Sequence, residues 1–205
     1  MLRVGLTGSV ACGKSTVGAM LAQRGAHFLQ ADTLAHQLYL PGAPVYESVV
    51  QAFGPEIVRS DGFIDRAALA NKAFPDRIAE LNAIVHPAVI EAQNRWLAER
   101  EAEHPHGIAV LEAALLIEAG AAKDFDKVIV VTCPLAKKVE NYARRTGVSP
   151  EAARVEVERR SAAQFSDEHK AAHADYVIEN SGTLEELERQ VEEVWGELRH
   201  TAHSS

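Results

Sequence analysis

Gly8-Ser9-Val10-Ala11-Cys12-Gly13-Lys14-Ser15 decides the reading of this chain. The stretch fits G-x-x-x-x-G-K-[ST], the signature of a P-loop. It follows a short β-prone run, residues 2–7, and precedes residues 16–24, where Val17, Met20 and Leu21 recur at helical spacing. Strand, loop and helix in that order are the context such a loop requires. The glycines let the backbone curl until successive N–H groups point at phosphate oxygens. Lys14 then offers a point charge to the β and γ phosphates, Ser15 a hydroxyl to Mg²⁺, and the helix N-terminus its partial positive charge. A chance glycine-rich turn would leave motif and context both unexplained. Cys12 reads as a small residue tolerated where the backbone does the binding, in preference to a redox thiol.

Outward from the loop, residues 27–30 form a candidate second strand after Gly25 ends the first helix, and Asp32 follows at once. From there to about Glu103 the pattern is mostly helical, with breaks at Pro41 and Pro44, Gly54-Pro55, Asp61-Gly62, Pro75 and His86-Pro87. So long an excursion between strands suggests an inserted part that covers a substrate. Residues 108–111 and 128–132 are apolar and β-branched, as strands buried on both faces of a parallel sheet should be, and residues 176–178 are a weaker third case. Helical patterns over 135–145 and 184–198 follow the last two. The alternation predicts an α/β fold with a five-stranded parallel sheet flanked by helices, and the tail from His200 reads as frayed.

With 205 residues the chain has room for one sizeable core, so a single globular unit is expected. Its formal charge of −8 argues against tracking a nucleic-acid backbone, which needs a basic stripe. Cys12 and Cys133 build no disulfide framework, which suits a reducing cytoplasm. The N-terminus lacks a signal-peptide pattern, and no stretch approaches the roughly 20 apolar residues that span a bilayer. The 9 histidines show no ligand spacing, so no structural metal is expected.

A P-loop does not by itself separate a kinase from a switch or a motor. Asp32 stands where parallel sheets gather ligands; it suits a base for an attacking hydroxyl, a holder of a Mg²⁺-bound water, or an N-cap for the helix after it. Glu112 closes the run 108–111, where a carboxylate would stand near the metal, and Glu118 is less clearly placed. Arg144, Arg145, Arg154, Arg159 and Arg160 surround a break at residues 146–150, as in a lid that closes on nucleotide. Interleaved Glu151, Glu156 and Glu158 equally fit a solvated face, and one or two of the five arginines are expected to touch ligand. Arg66 and His86, taken alone, read as structural.

Together and in order, these motifs resemble the dephospho-coenzyme A kinases over nearly the full chain. The resemblance rests on Gly5-Leu6-Thr7-Gly8, Gly13-Lys14-Ser15-Thr16, Ala31-Asp32, Pro41-Gly42-Ala43-Pro44, Phe53-Gly54, Asp61-Gly62, Asp65-Arg66 and His86-Pro87. It continues through Ala114-Leu115-Leu116-Ile117-Glu118, then Arg160, Gln164, Lys170, Ala174-Asp175 and Ile178-Glu179-Asn180. It implies ATP as donor, the ribose 3′-hydroxyl of dephospho-coenzyme A as acceptor, and Mg²⁺ at Ser15 and Glu112. Asp32 becomes the expected base, with Lys14 and Arg145 acting on the transferred group. Gly8, Ala11, Cys12, Gly13, Lys14, Ser15, Thr16, Arg160 and Asn180 would hold ATP; Thr7, Asp32, Arg66, His86 and Leu115 would face the acceptor. The implied layout is one kinase domain with its core at about 1–32, 106–140 and 174–199, an acceptor region at about 33–105 and a lid at about 141–173. It would be a monomer or weak homo-oligomer. Three departures stand out: Ser9 and Ala11 replace loop glycines, Ala114 replaces a proline, and Asn141 replaces a lid arginine.

Overall fold

Alternate residues of one strand, β4 (Lys127–Thr132), enter two different cores. Ile129 and Val131 pack with Val17, Leu21, Val191 and Leu198, whereas Val128 and Val130 pack with Leu116 and Ile117. A strand covered on both faces lies inside a sheet, which is why its run is continuously apolar. The computed structural model describes residues 1–204. Besides β4, its strands are β1 (Leu2–Gly8), β2 (His27–Gln30), β3 (Ile108–Glu112) and β5 (Tyr176–Glu179). All five are parallel and stand in the order β2-β3-β1-β4-β5, so each of the five candidate strands forms.

Two compact units divide the chain: Met1–Gln30 with Arg100–Ser205, and Ala31–Glu99. In the first, α1 (Lys14–Gln23) and α9 (Leu184–Ser204) cover one face of the sheet through Val17, Leu21, Leu187, Val191 and Leu198. The fraying predicted from His200 onward is not found. The helix runs on because Ala202, only 8% exposed, belongs to the same core; Ser205 lies outside the described residues. Between β4 and β5 come α6 (Leu135–Thr146), α7 (Pro150–Ala162) and α8 (Asp167–Ala171). The α6–α7 turn is set by Ser149, whose hydroxyl accepts from the Ala152 N–H, and by Pro150 in the first turn of α7. Tyr142, Ala153 and Val157 then enclose Val10, so this pair of helices packs on the P-loop itself.

The second unit is helical: α2 (Ala31–Leu38), α3 (Pro44–Phe53), α4 (Arg66–Ala73) and most of α5 (Ile78–Glu103). Asp65 caps α4, accepting from Ala67 and Ala68 N–H at 2.9 and 3.0 Å. No break occurs at His86-Pro87; α5 runs straight through Pro87. A proline removes one helical hydrogen bond, and here Leu81, Ile84, Val85 and Ala88 pack against the unit's core on either side of it, which offsets the loss. That core centres on Val45, Val49, Phe53, Ile57 and Leu69. Among the described residues no helix is long and apolar enough to cross a membrane.

Phe53 is 1% exposed and stacks under the Arg77 guanidinium at 4.4 Å. Phe53→Ala should therefore cost about 3–5 kcal/mol of stability, through lost transfer energy and the cavity left behind. Urea unfolding checks this, and a loss below about 1 kcal/mol would show that the site collapses around the smaller side chain.

Candidate active site

The strand order reverses at β1, which has β3 on one side and β4 on the other; parallel sheets open a ligand crevice at such a point. The P-loop leaves the carboxyl end of β1 here. Gly8 has φ +147°, and a Cβ on it would lie 2.1 Å from the Val131 carbonyl oxygen, so only glycine fits beside β4. Gly13 turns the chain into α1 with φ +98°. Ala11 is the one non-glycine residue with positive φ among the described residues, at +56°. Placing an L-residue there costs roughly 1 kcal/mol. The Thr16 and Val17 amides both donate to the Gly13 carbonyl, which leaves the amides that open α1 free of i−4 partners and suited to an anion. Lys14 Nζ donates to the Gly8 and Ser9 carbonyls, both at 2.9 Å, and Ser15 and Thr16 are exposed beside it.

Amides from other elements hold this loop in shape. Val10 N–H donates to Gln164 Oε1 at 3.1 Å, Asn141 Nδ2 to the Ala11 carbonyl at 2.9 Å, and Asn180 Nδ2 to the Cys12 carbonyl at 2.9 Å. Asn141, a departure from the resembled pattern, thus has a definite task. Cys12 is wholly buried; burial pushes its thiol pKa up and outweighs the opposite pull of Lys14, so it is no activated thiolate. Burial, with Cys12 nearby, also pushes Cys133 up to about 12.

A cleft of about 380 Å³ adjoins the loop, lined by Gly13, Ser15, Thr16, Lys137, Arg144, Arg145 and Asn180 among others. Of the five arginines predicted around it, Arg144 and Arg145 line it. Arg160 does not: it pairs with Glu156 at 2.6 Å and lies 5.5 Å over the Tyr142 ring, while Arg154 and Arg159 pair with Glu158 and Glu156. Glu112 stands level with Gln30 and Leu6 and accepts from Gln30 Nε2 at 3.0 Å. Thr7 is wholly buried and donates to the Ala114 carbonyl at 3.3 Å; Leu115, next along, is 52% exposed. Glu118, unplaced by sequence, meets Lys170 at 2.9 Å. Lys170 is fully buried and donates also to the Ala114 carbonyl, at 3.2 Å.

In the helical unit, Asp32, His36, Tyr39, Arg66, Phe74 and Leu81 help line a separate cleft of about 340 Å³. Arg66 Nη1 binds His36 Nε2 and lies 5.9 Å from the centre of the Tyr39 ring. Asp32 is exposed within the first turn of α2, which starts one residue earlier, so it does not cap that helix. His86 is exposed on α5 and stands outside the lining. His36 and Tyr39 went unpredicted, although His36 stands four residues after Asp32, one helical turn along.

An anion cradle at the switch point of a five-stranded parallel sheet, with cations gathered about it, places the chain among the P-loop nucleotide-binding proteins. The sequence profile described as Dephospho-CoA kinase matches residues 2–186. The dephospho-CoA kinase of Geobacter sulfurreducens is 46% identical over 195 residues, 94% of this chain and 96% of its own. A solved structure from Thermus thermophilus matches with TM-score 0.78 and 36% identity over 96% of this chain and 97% of that one. The dephospho-CoA kinase from Campylobacter jejuni has the same fold, with TM-score 0.70 and 24% identity over 97% and 98% of the two chains. This chain belongs to the dephospho-CoA kinase family, enzymes of the last step of coenzyme A biosynthesis that phosphorylate dephospho-coenzyme A with ATP.

Two stability predictions come from this geometry. Ala11→Gly relieves the left-handed strain and should raise stability by up to about 1 kcal/mol, the gain being reduced by the freer unfolded chain; thermal unfolding that shows a clear loss would contradict the strain. The second concerns acid. Burial alone would raise the Glu118 pKa, but bonds from Lys170 and the Phe165 N–H hold it below its usual 4.5. A carboxylate depressed in the folded state stabilises fully above its unfolded pKa, and that contribution disappears as pH falls through the folded value. Glu118→Gln should therefore flatten the stability profile below pH 4.5, and an unchanged acid limb would refute the assignment.

Proposed function

We propose that this chain transfers the γ-phosphoryl group of ATP to the ribose 3′-hydroxyl of dephospho-coenzyme A, with Asp32 as the general base. The reading is carried by Lys14, whose ammonium is held over the cradle by two carbonyl oxygens that a phosphate can replace. On binding ATP, Lys14 exchanges those carbonyls for β and γ phosphate oxygens, and the α1 amides take up the rest of the charge. Arg144 and Arg145 bring further positive charge to the cleft where Asn180 meets the nucleotide, and Arg160 serves it after release from Glu156.

The acceptor side is assigned to the helical unit. Asp32 and Arg66 share one cleft there, a carboxylate for the hydroxyl proton and a guanidinium for the acceptor's phosphates. Its floor of Leu69, Ala73, Phe74 and Leu81 suits an apolar or planar group. His86, Thr7 and Leu115 are assigned to the same substrate. The donor set also fits Mg²⁺, which keeps most of its water and takes one or two protein oxygens with substrate phosphates: the Ser15 hydroxyl and the Glu112 carboxylate are hard oxygen donors. When bound, the ion would neutralise charge on the β and γ phosphates. Two unpaired buried cysteines suit a reducing cytoplasm, and a monomer or weak homo-oligomer is the proposed state.

Coupled ADP release against a panel of acceptors tests the reaction: dephospho-coenzyme A should drive it, and equal turnover with nucleosides or sugars would overturn the substrate assignment. Asp32→Asn should lower kcat about 10²- to 10⁴-fold while the dissociation constant for ATP changes less than about twofold. Turnover near the wild-type rate would remove Asp32 from the role of base.

A further inference from the structure

Ser9 is 3% exposed, and its hydroxyl donates to Asp167 Oδ1 in the first turn of α8. The other oxygen of the same carboxylate, Oδ2, accepts from Lys138 Nζ of α6 at 2.7 Å. Lys138 is itself 8% exposed, while the Asp167 side chain is half-buried, so the ion pair is partly shielded from water. One carboxylate thus ties the entry arm of the P-loop to two helices of the segment beyond β4. The resembled pattern has glycine at position 9, so a hydroxyl is no general requirement of a phosphate cradle, and this one has a specific partner.

We propose that Asp167 is a positioning residue that acts through Ser9 to fix the P-loop independently of Lys14. Without nucleotide, the backbone of Ser9 is held by Lys14. On the reading of Lys14 as the phosphate-binding cation, that bond is surrendered when ATP enters, just when the cradle must keep its shape. The Asp167 bond is made by the side chain of Ser9, not by the backbone carbonyl that Lys14 holds. Lys138 holds the other oxygen of the carboxylate and so keeps the first aimed at Ser9. A loop held in this way loses less freedom on binding, and the retained freedom appears as affinity for ATP.

Ser9→Ala removes only the hydroxyl and leaves Asp167 paired with Lys138, so the fold is retained. By calorimetry the dissociation constant for ATP should rise about tenfold, equivalent to about 1.4 kcal/mol, while that for dephospho-coenzyme A changes less than about twofold. Amide exchange without ATP should quicken over the loop from Gly8 to Gly13 and stay as in the wild type over α9. An ATP constant within about twofold of wild type, or a loss shared equally with the acceptor and accompanied by faster exchange in α9, would overturn the proposal. The two readings separate cleanly. Wild-type protein that fails to bind ATP overturns the kinase reading, whereas normal wild-type binding unaffected by Ser9→Ala overturns the latch alone.

Discussion

Everything at the nucleotide side depends on where the end of β1 is held. Its register with β3 places Leu6 beside Glu112, and its register with β4 places Gly8 beside Val131. Pairing on both edges leaves the strand no room to slip, since a shift of one residue would turn its apolar set to the opposite face. At Gly8 the backbone then turns so close to the Val131 carbonyl that no side chain can be admitted. With that point fixed, the loop's curl and the start of α1 at Lys14 follow. The charged groups act on a cradle that the sheet has already placed.

Charge is used very differently at the surface and inside. The chain carries −8 overall, yet Lys14, Lys137, Arg144 and Arg145 gather on one side of the P-loop, a local positive field on an acidic molecule. Exposed pairs such as Arg154 with Glu158 contribute little to stability, because water screens them and two long side chains must be ordered. Lys170 and Glu118 are another matter. Desolvation offsets much of the attraction of a buried pair, so its value lies largely in geometry: the Lys170 ammonium is held between the Glu118 carboxylate and the Ala114 carbonyl. That ammonium and the Thr7 hydroxyl share the Ala114 carbonyl, which fixes the loop after β3 to both α8 and the end of β1.

The sheet was legible because burial on both faces writes continuous apolar runs, and the loop because phosphate binding constrains both residue type and spacing. Pro87 was misleading: a proline reads as a break from local rules, while the packing of Ile84, Val85 and Ala88 acts across it. Fraying at His200 failed for the same reason, since Ala202 finds a core that its neighbours in sequence do not announce. Arg160 is named by motif, but its pairing with Glu156 depends on a helix turn that composition alone treats as a solvated face. Asn141, Gln164 and Asp167 each make one polar contact with a P-loop residue some 130 to 158 positions away, and no local pattern encodes those.

Those long-range contacts explain how the loop carries side chains where the resembled pattern has glycines. Four consecutive residues, Ser9 to Cys12, are each bound from outside the loop, by Asp167, Gln164, Asn141 and Asn180. Glycines let a loop reach the required shape, but leave it free to adopt many others. Ala11 narrows that freedom at the expense of left-handed strain, and a conformation of that kind persists only when its surroundings over-determine it. The Asn141 amide on the Ala11 carbonyl is such a surrounding, standing where the resembled pattern has an arginine. The arginine's charge is forgone, and the loop is held ready before nucleotide arrives. Arg144, which donates to the Asn141 side chain at 3.1 Å and lines the cleft, joins that scaffold to the charged wall of the site.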